Sequence, residues 1–291
     1  MESEDLKNKL CMVTGANSGI GKATAMRLSS RGAYIVMVCR NEERAEQARN
    51  DIIDRTGNTG IDILYADFTH QFEIRKLAER FLRDYDQLDI LVNNAGMLGS
   101  KRKETVDGVE KTFAVNHLGP FLLTNLLHEA LVSAPAARVI NVASEVHRLG
   151  ARVFDFENLQ LEEGYTPLKA YGVSKLCNIM FTWELARRTS NTGITTFSLH
   201  PGTVRSQLAE EASLLMKMAF FIGKPFMRSP HKAAETPLYL ATADEVLGKN
   251  GRYFKDKKEL RPASPAYDEN TTRRLWEISK ELTELEQGWI D

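Results

Sequence analysis

A phenol and an ammonium on adjacent turns of one helix face form a proton-transfer pair. The cation can draw the phenol's pKa from about 10 toward neutral pH, where acid–base catalysis operates. Tyr and Lys four positions apart meet that requirement on a helix, and the sequence offers three such pairs: Tyr165/Lys169, Tyr171/Lys175 and Tyr253/Lys257. Pro167 falls inside the first pair and disfavours a helix there. The third lies at residues 251–255, which read as a short last strand, so its members share a face but stand far apart. The middle pair opens residues 170–188, a long run of helix formers with periodic apolar positions. A lone Tyr/Lys pair is usually a surface contact, but two further groups argue for chemistry. Ser144 ends an apolar strand pattern, where its hydroxyl can donate to a carbonyl oxygen or cap a helix. Asn116 is a polar residue within an apolar helical pattern and needs partners, which a proton relay or a kinked helix would supply.

The partner for such a centre is written at the first strand-to-helix turn. Gly15, Asn17, Ser18, Gly19, Ile20 and Gly21 follow an apolar strand pattern and open a helical one. Glycines there permit a tight turn and let a pyrophosphate approach the helix N-terminus, whose N–H groups and dipole favour anions. The spacing differs from the GxGxxG fingerprint, and a plain turn is the alternative. About 20 residues on, where a carboxylate would bind the ribose of NAD, stand Cys39 and Arg40. A guanidinium there suits a 2′-phosphate, so NADP(H) is expected over NAD(H). Asp67, after the third strand pattern, reads equally as an acceptor for the adenine amino group or as a helix N-cap. Asn93, Ala95 and Gly96 place small residues where the backbone passes the cofactor.

These positions need a scaffold that delivers strand ends to one edge. Residues 9–14, 34–39, 61–66, 89–93, 138–143 and 195–200 are short apolar runs. Longer periodic stretches such as 19–31, 42–55 and 71–85 lie between them. That alternation predicts an α/β fold: a single-domain, Rossmann-type doubly wound parallel sheet flanked by helices. Two stretches break the rhythm, 145–166 and 203–230. The second is rich in Leu, Met and Phe and reads as a substrate lid. Residues 268–287 read as a charged amphipathic helix that closes the domain or touches another subunit. With 38 Lys plus Arg against 39 Asp plus Glu in 291 residues, no basic footprint points to nucleic acid. The three cysteines form no CxxC pair, the N-terminal residues are polar, and residues 214–222 are broken by Lys217. A cytoplasmic protein without an integral membrane segment, metal site or disulfide framework is expected. His117, His147 and His200 lack metal-ligand partners and read as structural.

In order along residues 8–260, the Gly15–Gly21 turn, Asn93–Gly96, Asn116, Ser144, Tyr171 with Lys175, and Pro201-Gly202-Thr203 resemble the short-chain dehydrogenase/reductase superfamily. Val38-Cys39-Arg40, the Ser144-to-Tyr171 spacing and Arg273-Arg274-Leu275-Trp276 are most similar to its retinol dehydrogenase-like group, related to the WW-domain oxidoreductases. The resemblance implies a catalytic tetrad of Asn116, Ser144, Tyr171 and Lys175. Tyr171 would exchange the proton, Ser144 polarise the carbonyl, Lys175 hold the nicotinamide ribose and tune Tyr171, and Asn116 maintain the relay. Pro201, Gly202 and Thr203 would line the nicotinamide pocket. Ala143 departs from the family where a second serine is frequent. The implied activity is hydride transfer between NADP(H) and a lipophilic carbonyl or alcohol of the retinal, aldehyde, ketone or steroid class. The alternative is a non-catalytic NADP(H) sensor or scaffold. The helices at 117–131 and 170–188 form the usual dimer face of that family, so a homodimer is one expectation.

Overall fold

The computed structural model describes residues 5–204 and 227–286. Eight strands form one sheet: β1 Leu10–Thr14, β2 Tyr34–Cys39, β3 Ile61–Tyr65, β4 Ile90–Asn93, β5 Arg138–Val142, β6 Thr195–His200, β7 Arg252–Lys255 and β8 Lys258–Leu260. Their spatial order is β3-β2-β1-β4-β5-β6-β7-β8, parallel throughout except for the antiparallel β8. Helices cover both faces, so the central strands are apolar on both sides rather than alternating. Met12, Val36 and Leu91 point into one layer; Cys11, Val13, Ile35 and Val92 point into the other.

The first three helices follow simple rules. α1 is Gly19–Ser29, α2 Glu42–Thr56 and α3 Gln71–Asp84. α2 starts where Asn41 accepts a hydrogen bond from the Arg44 backbone N–H and stops at Gly57, whose φ is 70°. α3 buries Ile74, Leu77, Ala78 and Phe81, one stripe at helical spacing. The chain reverses strand order between β1 and β4, and the crevice beyond their carboxyl ends is where an open sheet of this kind binds ligands.

Several expectations change on the second half of the chain. The helix expected at 117–131 is broken into α4 Lys111–Phe113, a π-helical turn Ala114–Leu118, α5 Gly119–Leu126 and α6 His128–Ser133. The connection at 145–166 contains a short helix, α7 His147–Val153. The long helix α8 is Pro167–Arg188 and begins on the proline expected to prevent it. Proline fits the first helical position, whose N–H has no intrahelical partner anyway. Most of the expected lid, residues 205–226, lies outside the described residues. α9 Pro230–Ala233 and α10 Glu235–Thr242 follow it, and α11 Glu269–Leu282 is the expected C-terminal helix.

α11 closes the domain. Its Trp276 is buried with ring centroids 4.9 Å from Phe121 on α5 and 5.8 Å from Phe181 on α8. The fully buried Glu184 on α8 takes Arg187, Arg188 and the Thr272 hydroxyl of α11. α11 therefore packs against the α5 and α8 helices that the resemblance assigns to subunit contact. Among the described residues, no helix is long and apolar enough to cross a membrane.

Candidate active site

A cavity of about 440 Å³ opens beyond the carboxyl ends of the central strands. Its floor is the turn after β1. Gly15 and Gly19 have φ of 66° and 55°, the left-handed region that glycine enters without strain. A Cβ on Gly21 would lie 2.3 Å from the Gly15 carbonyl oxygen and 2.4 Å from Asn94 Nδ2. Gly21 thus serves packing behind the turn and does not line the cavity. Asn94 clamps the turn, donating from Nδ2 to Thr14 O at 2.8 Å, while Thr14 Oγ1 accepts from Asn94 N and Ala95 N at 3.0 and 2.9 Å. The narrow cradle, with the α1 N-terminus above it, fits the pyrophosphate of a dinucleotide.

At the outer end, the Arg40 guanidinium faces Asp67, Nη1 to Oδ2 3.7 Å. The two carboxylate oxygens of Asp67 have different partners. Oδ1 accepts from Thr69 N and Thr69 Oγ1, both at 2.9 Å, but the residue preceding α3 is His70, so Asp67 is not the cap of that helix. Arg44, on the first turn of α2, shares this end of the cavity with Arg40. The sequence reading missed it, because a cation on the first turn of a helix reads as an ordinary solvated charge.

At the inner end, Ser144 and Tyr171 stand at the cavity wall, both largely buried. Burial pushes the Tyr171 phenol up to about 12, and its hydrogen bond with the Ser144 hydroxyl pulls in the opposite direction. Lys175 is buried one turn on, with its ammonium 5.6 Å from the centroid of the Tyr171 ring. Nζ donates to the Val142 carbonyl at 2.8 Å, and burial lowers its pKa to about 8. Burial is the larger of the two causes acting on the phenol, ahead of Ser144. Tyr165 stands outside α8, its hydroxyl toward Glu110, and Tyr253 donates to Glu145 Oε1 at 2.7 Å. Neither forms a helical pair with its lysine.

Asn116 and Asn93 lie behind the wall rather than in it. Asn116 Oδ1 accepts from Met97 N at 2.7 Å, and Nδ2 donates to Met97 O and Ser174 Oγ, both at 3.0 Å. Asn93 Nδ2 donates to Thr124 Oγ1 and Asn141 Oδ1 at 3.0 and 2.9 Å, tying β4 to β5. Gly15, Asn17, Ser18, Gly19, Ile20, Arg40, Asp67, Ala95, Gly96, Pro201, Gly202 and Thr203 all line the cavity. So do Glu145 and His200, which the sequence reading did not place in the site. Burial lowers the His200 pKa to about 4, holding the ring neutral.

Comparison with known proteins agrees with this arrangement. The short chain dehydrogenase family profile matches residues 9–156. Retinol dehydrogenase 12 of Homo sapiens is 43% identical over 278 residues, covering 95% of this chain and 87% of that protein. An uncharacterized protein from Mycobacterium Paratuberculosis superposes with a TM-score of 0.78 at 29% identity, covering 97% of this chain and 96% of that one. A short chain dehydrogenase from Escherichia coli CFT073, solved as a complex with NADPH, superposes at 0.68 with 25% identity, covering 87% and 98%. The chain belongs to the short-chain dehydrogenase/reductase superfamily, in its retinol dehydrogenase-like group, a family of hydride-transferring oxidoreductases.

Proposed function

We propose that this chain is an NADP(H)-dependent oxidoreductase acting on lipophilic carbonyls and alcohols of the retinal, aldehyde, ketone or steroid class. The observation that carries the proposal is the placement of a cationic end (Arg40, Arg44) and an acid–base end (Ser144, Tyr171, Lys175) in one cavity. Two guanidiniums favour a cofactor bearing a 2′-phosphate over one with free hydroxyls. The name of the retinol dehydrogenase relative and the apolar residues 204–230 support a lipophilic substrate.

In this reading the Gly15–Gly21 turn and Ala95–Gly96 hold the dinucleotide, and Lys175 and Pro201–Thr203 hold its nicotinamide end. The nicotinamide supplies hydride exchange when bound. The Tyr171 hydroxyl gives a proton to the substrate oxygen during reduction and takes it back during oxidation. A phenol raised by burial stays protonated through the neutral range and so is ready to donate. The Ser144 hydroxyl donates to the same substrate oxygen and offsets the charge that develops there. Asn116 fixes the backbone of Met97 beside the site. Packing of α11 on α5 and α8 supports reading the single chain as the active unit. The three cysteines are buried and free, which fits a cytoplasmic setting.

The test is turnover of NADPH and of NADH with a panel of lipophilic aldehydes and ketones, and of NADP with the matching alcohols. Turnover that prefers the phosphorylated cofactor supports the reading. Tight NADPH binding with no turnover across the panel overturns it and favours a sensor.

A further inference from the structure

We propose that Ser279, on the C-terminal helix, is a positioning residue for Asn116 and acts through His117. The inference rests on the role given above to Asn116, which holds the Met97 backbone beside the site. Ser279 is fully buried, and its hydroxyl donates to the Leu275 carbonyl at 2.7 Å. That uses its only proton, so Oγ must accept from His117 Nε2, 2.9 Å away. The bond therefore fixes the ring with its proton on Nε2. Burial lowers the His117 pKa to about 3, so the ring is neutral and carries that one proton through the working range. Phe113, Phe121 and Phe181 surround the ring with centroids 5.1, 6.3 and 6.3 Å away, and Ser279 on α11 and Asn178 on α8 are its polar partners.

His117 and Asn116 are neighbours inside the π-helical turn Ala114–Leu118. A single π turn is a locally disfavoured backbone that persists only where its surroundings hold it, and such turns cluster at functional sites. On its other side Asn116 holds the Met97 backbone and donates to Ser174 Oγ at 3.0 Å, and Ser174 Oγ donates to Tyr171 O at 2.8 Å. A Cβ on Gly96 would lie 3.2 Å from Asn116 Oδ1 and 3.5 Å from Lys175 Nζ, which shows how little slack separates these groups. A run of hydrogen bonds and one peptide unit thus leads from α11 to the turn that carries Tyr171. Loss of the Ser279–His117 bond frees the π turn to shift, and displacements below 1 Å in a supporting shell are enough to slow chemistry.

The experiment measures kcat, the KM for NADPH and Tm for the full-length chain with an aldehyde that the wild type reduces. Ser279→Ala and His117→Phe each remove the bond, and each should lower kcat by about tenfold with the NADPH KM unchanged. The double variant should fall no further than either single one. Ile278→Ala, which weakens α11 packing without touching the bond, should lose a comparable Tm and keep wild-type kcat. A kcat within twofold of wild type in both single variants overturns the proposal. So does a loss in Ile278→Ala proportional to its Tm, or full additivity in the double variant. If Ser279→Ala does not fold, His117→Phe against Ile278→Ala decides the same question. Asn116→Ala separates the two levels: retained turnover there overturns the supporting role of Asn116, while its loss alone, with both bond-breaking variants unaffected, overturns only the link to α11.

Discussion

Arg40 and Asp67 meet across the outer end of the cavity, guanidinium to carboxylate, 3.7 Å apart. The pair is largely solvated and contributes little to stability by itself. Its consequence is position: the cation at the end of β2 is held beside the cavity, where a dinucleotide's adenosine ribose would lie. Replacing Arg40 by Ser removes a bidentate partner for a 2′-phosphate and nothing that a free ribose hydroxyl needs. The KM for NADPH should rise roughly ten- to hundredfold, the range expected for one or two charge-assisted hydrogen bonds, while the KM for NADH stays within about threefold. Steady-state kinetics with both cofactors checks this, and an unchanged NADPH KM contradicts it.

Lys175 makes a prediction about stability against pH. Its folded pKa, about 8, lies below the ordinary 10.5 because the ammonium is buried. Between those two values the unfolded chain binds more protons than the folded one, so stability rises with pH across that window. Below pH 8 the fold carries the full cost of a buried charge, on the order of 3 kcal/mol, partly offset by the bond to Val142 O. Lys175→Met should therefore raise Tm at pH 7 and lose that advantage as pH rises toward 10.5, while turnover collapses. Thermal melts across pH 7 to 10.5 test this; a Tm at pH 7 no higher than wild type contradicts it.

The crossing of α7 over α8 sets the wall behind Tyr171. A Cβ on Gly150 would lie 2.2 Å from the Gly172 carbonyl oxygen and 2.6 Å from Val173 N, both backbone atoms. Neither can swing aside as a side chain could. Gly150→Ala should separate the helices and cost about 1–3 kcal/mol or more, with turnover falling more than NADPH binding, because the distortion falls on the residue next to Tyr171. Chemical denaturation and cofactor titration on the one variant measure both, and a wild-type midpoint contradicts the account.

The strands and the main helices were legible because a doubly covered parallel sheet writes itself as apolar runs such as Tyr34–Cys39, and because α3 carries a clear stripe from Ile74 to Phe81. Position at strand ends then brought Gly15, Arg40 and Ser144 to one cavity, which Tyr171 reaches from α8. What stayed illegible depends on tertiary packing. β8 is exposed along its three residues and carries Lys258 and Glu259, so no pattern marks it. The π turn at Asn116 leaves no mark in the spacing of a largely apolar helical segment. Pro167 read as a breaker because its position relative to the helix start, set by the Thr166 cap, is not written in spacing alone. Arg44 looked like any solvated helix cation until β2 and α2 were placed, and α11 gave no sign of whether its apolar face meets this chain or another.

Under the proposed function, Tyr171 carries the proton for hydride transfer with NADP(H). The most direct test of that role is Tyr171→Phe, which removes one oxygen and keeps the ring in place. The measurement is loss of NADPH absorbance with a lipophilic aldehyde that the wild type reduces, beside NADPH binding by titration. The predicted result is binding within about threefold of wild type and turnover lowered by roughly 10²–10⁴, the usual contribution of a positioned general acid. Turnover that survives the substitution would contradict the account.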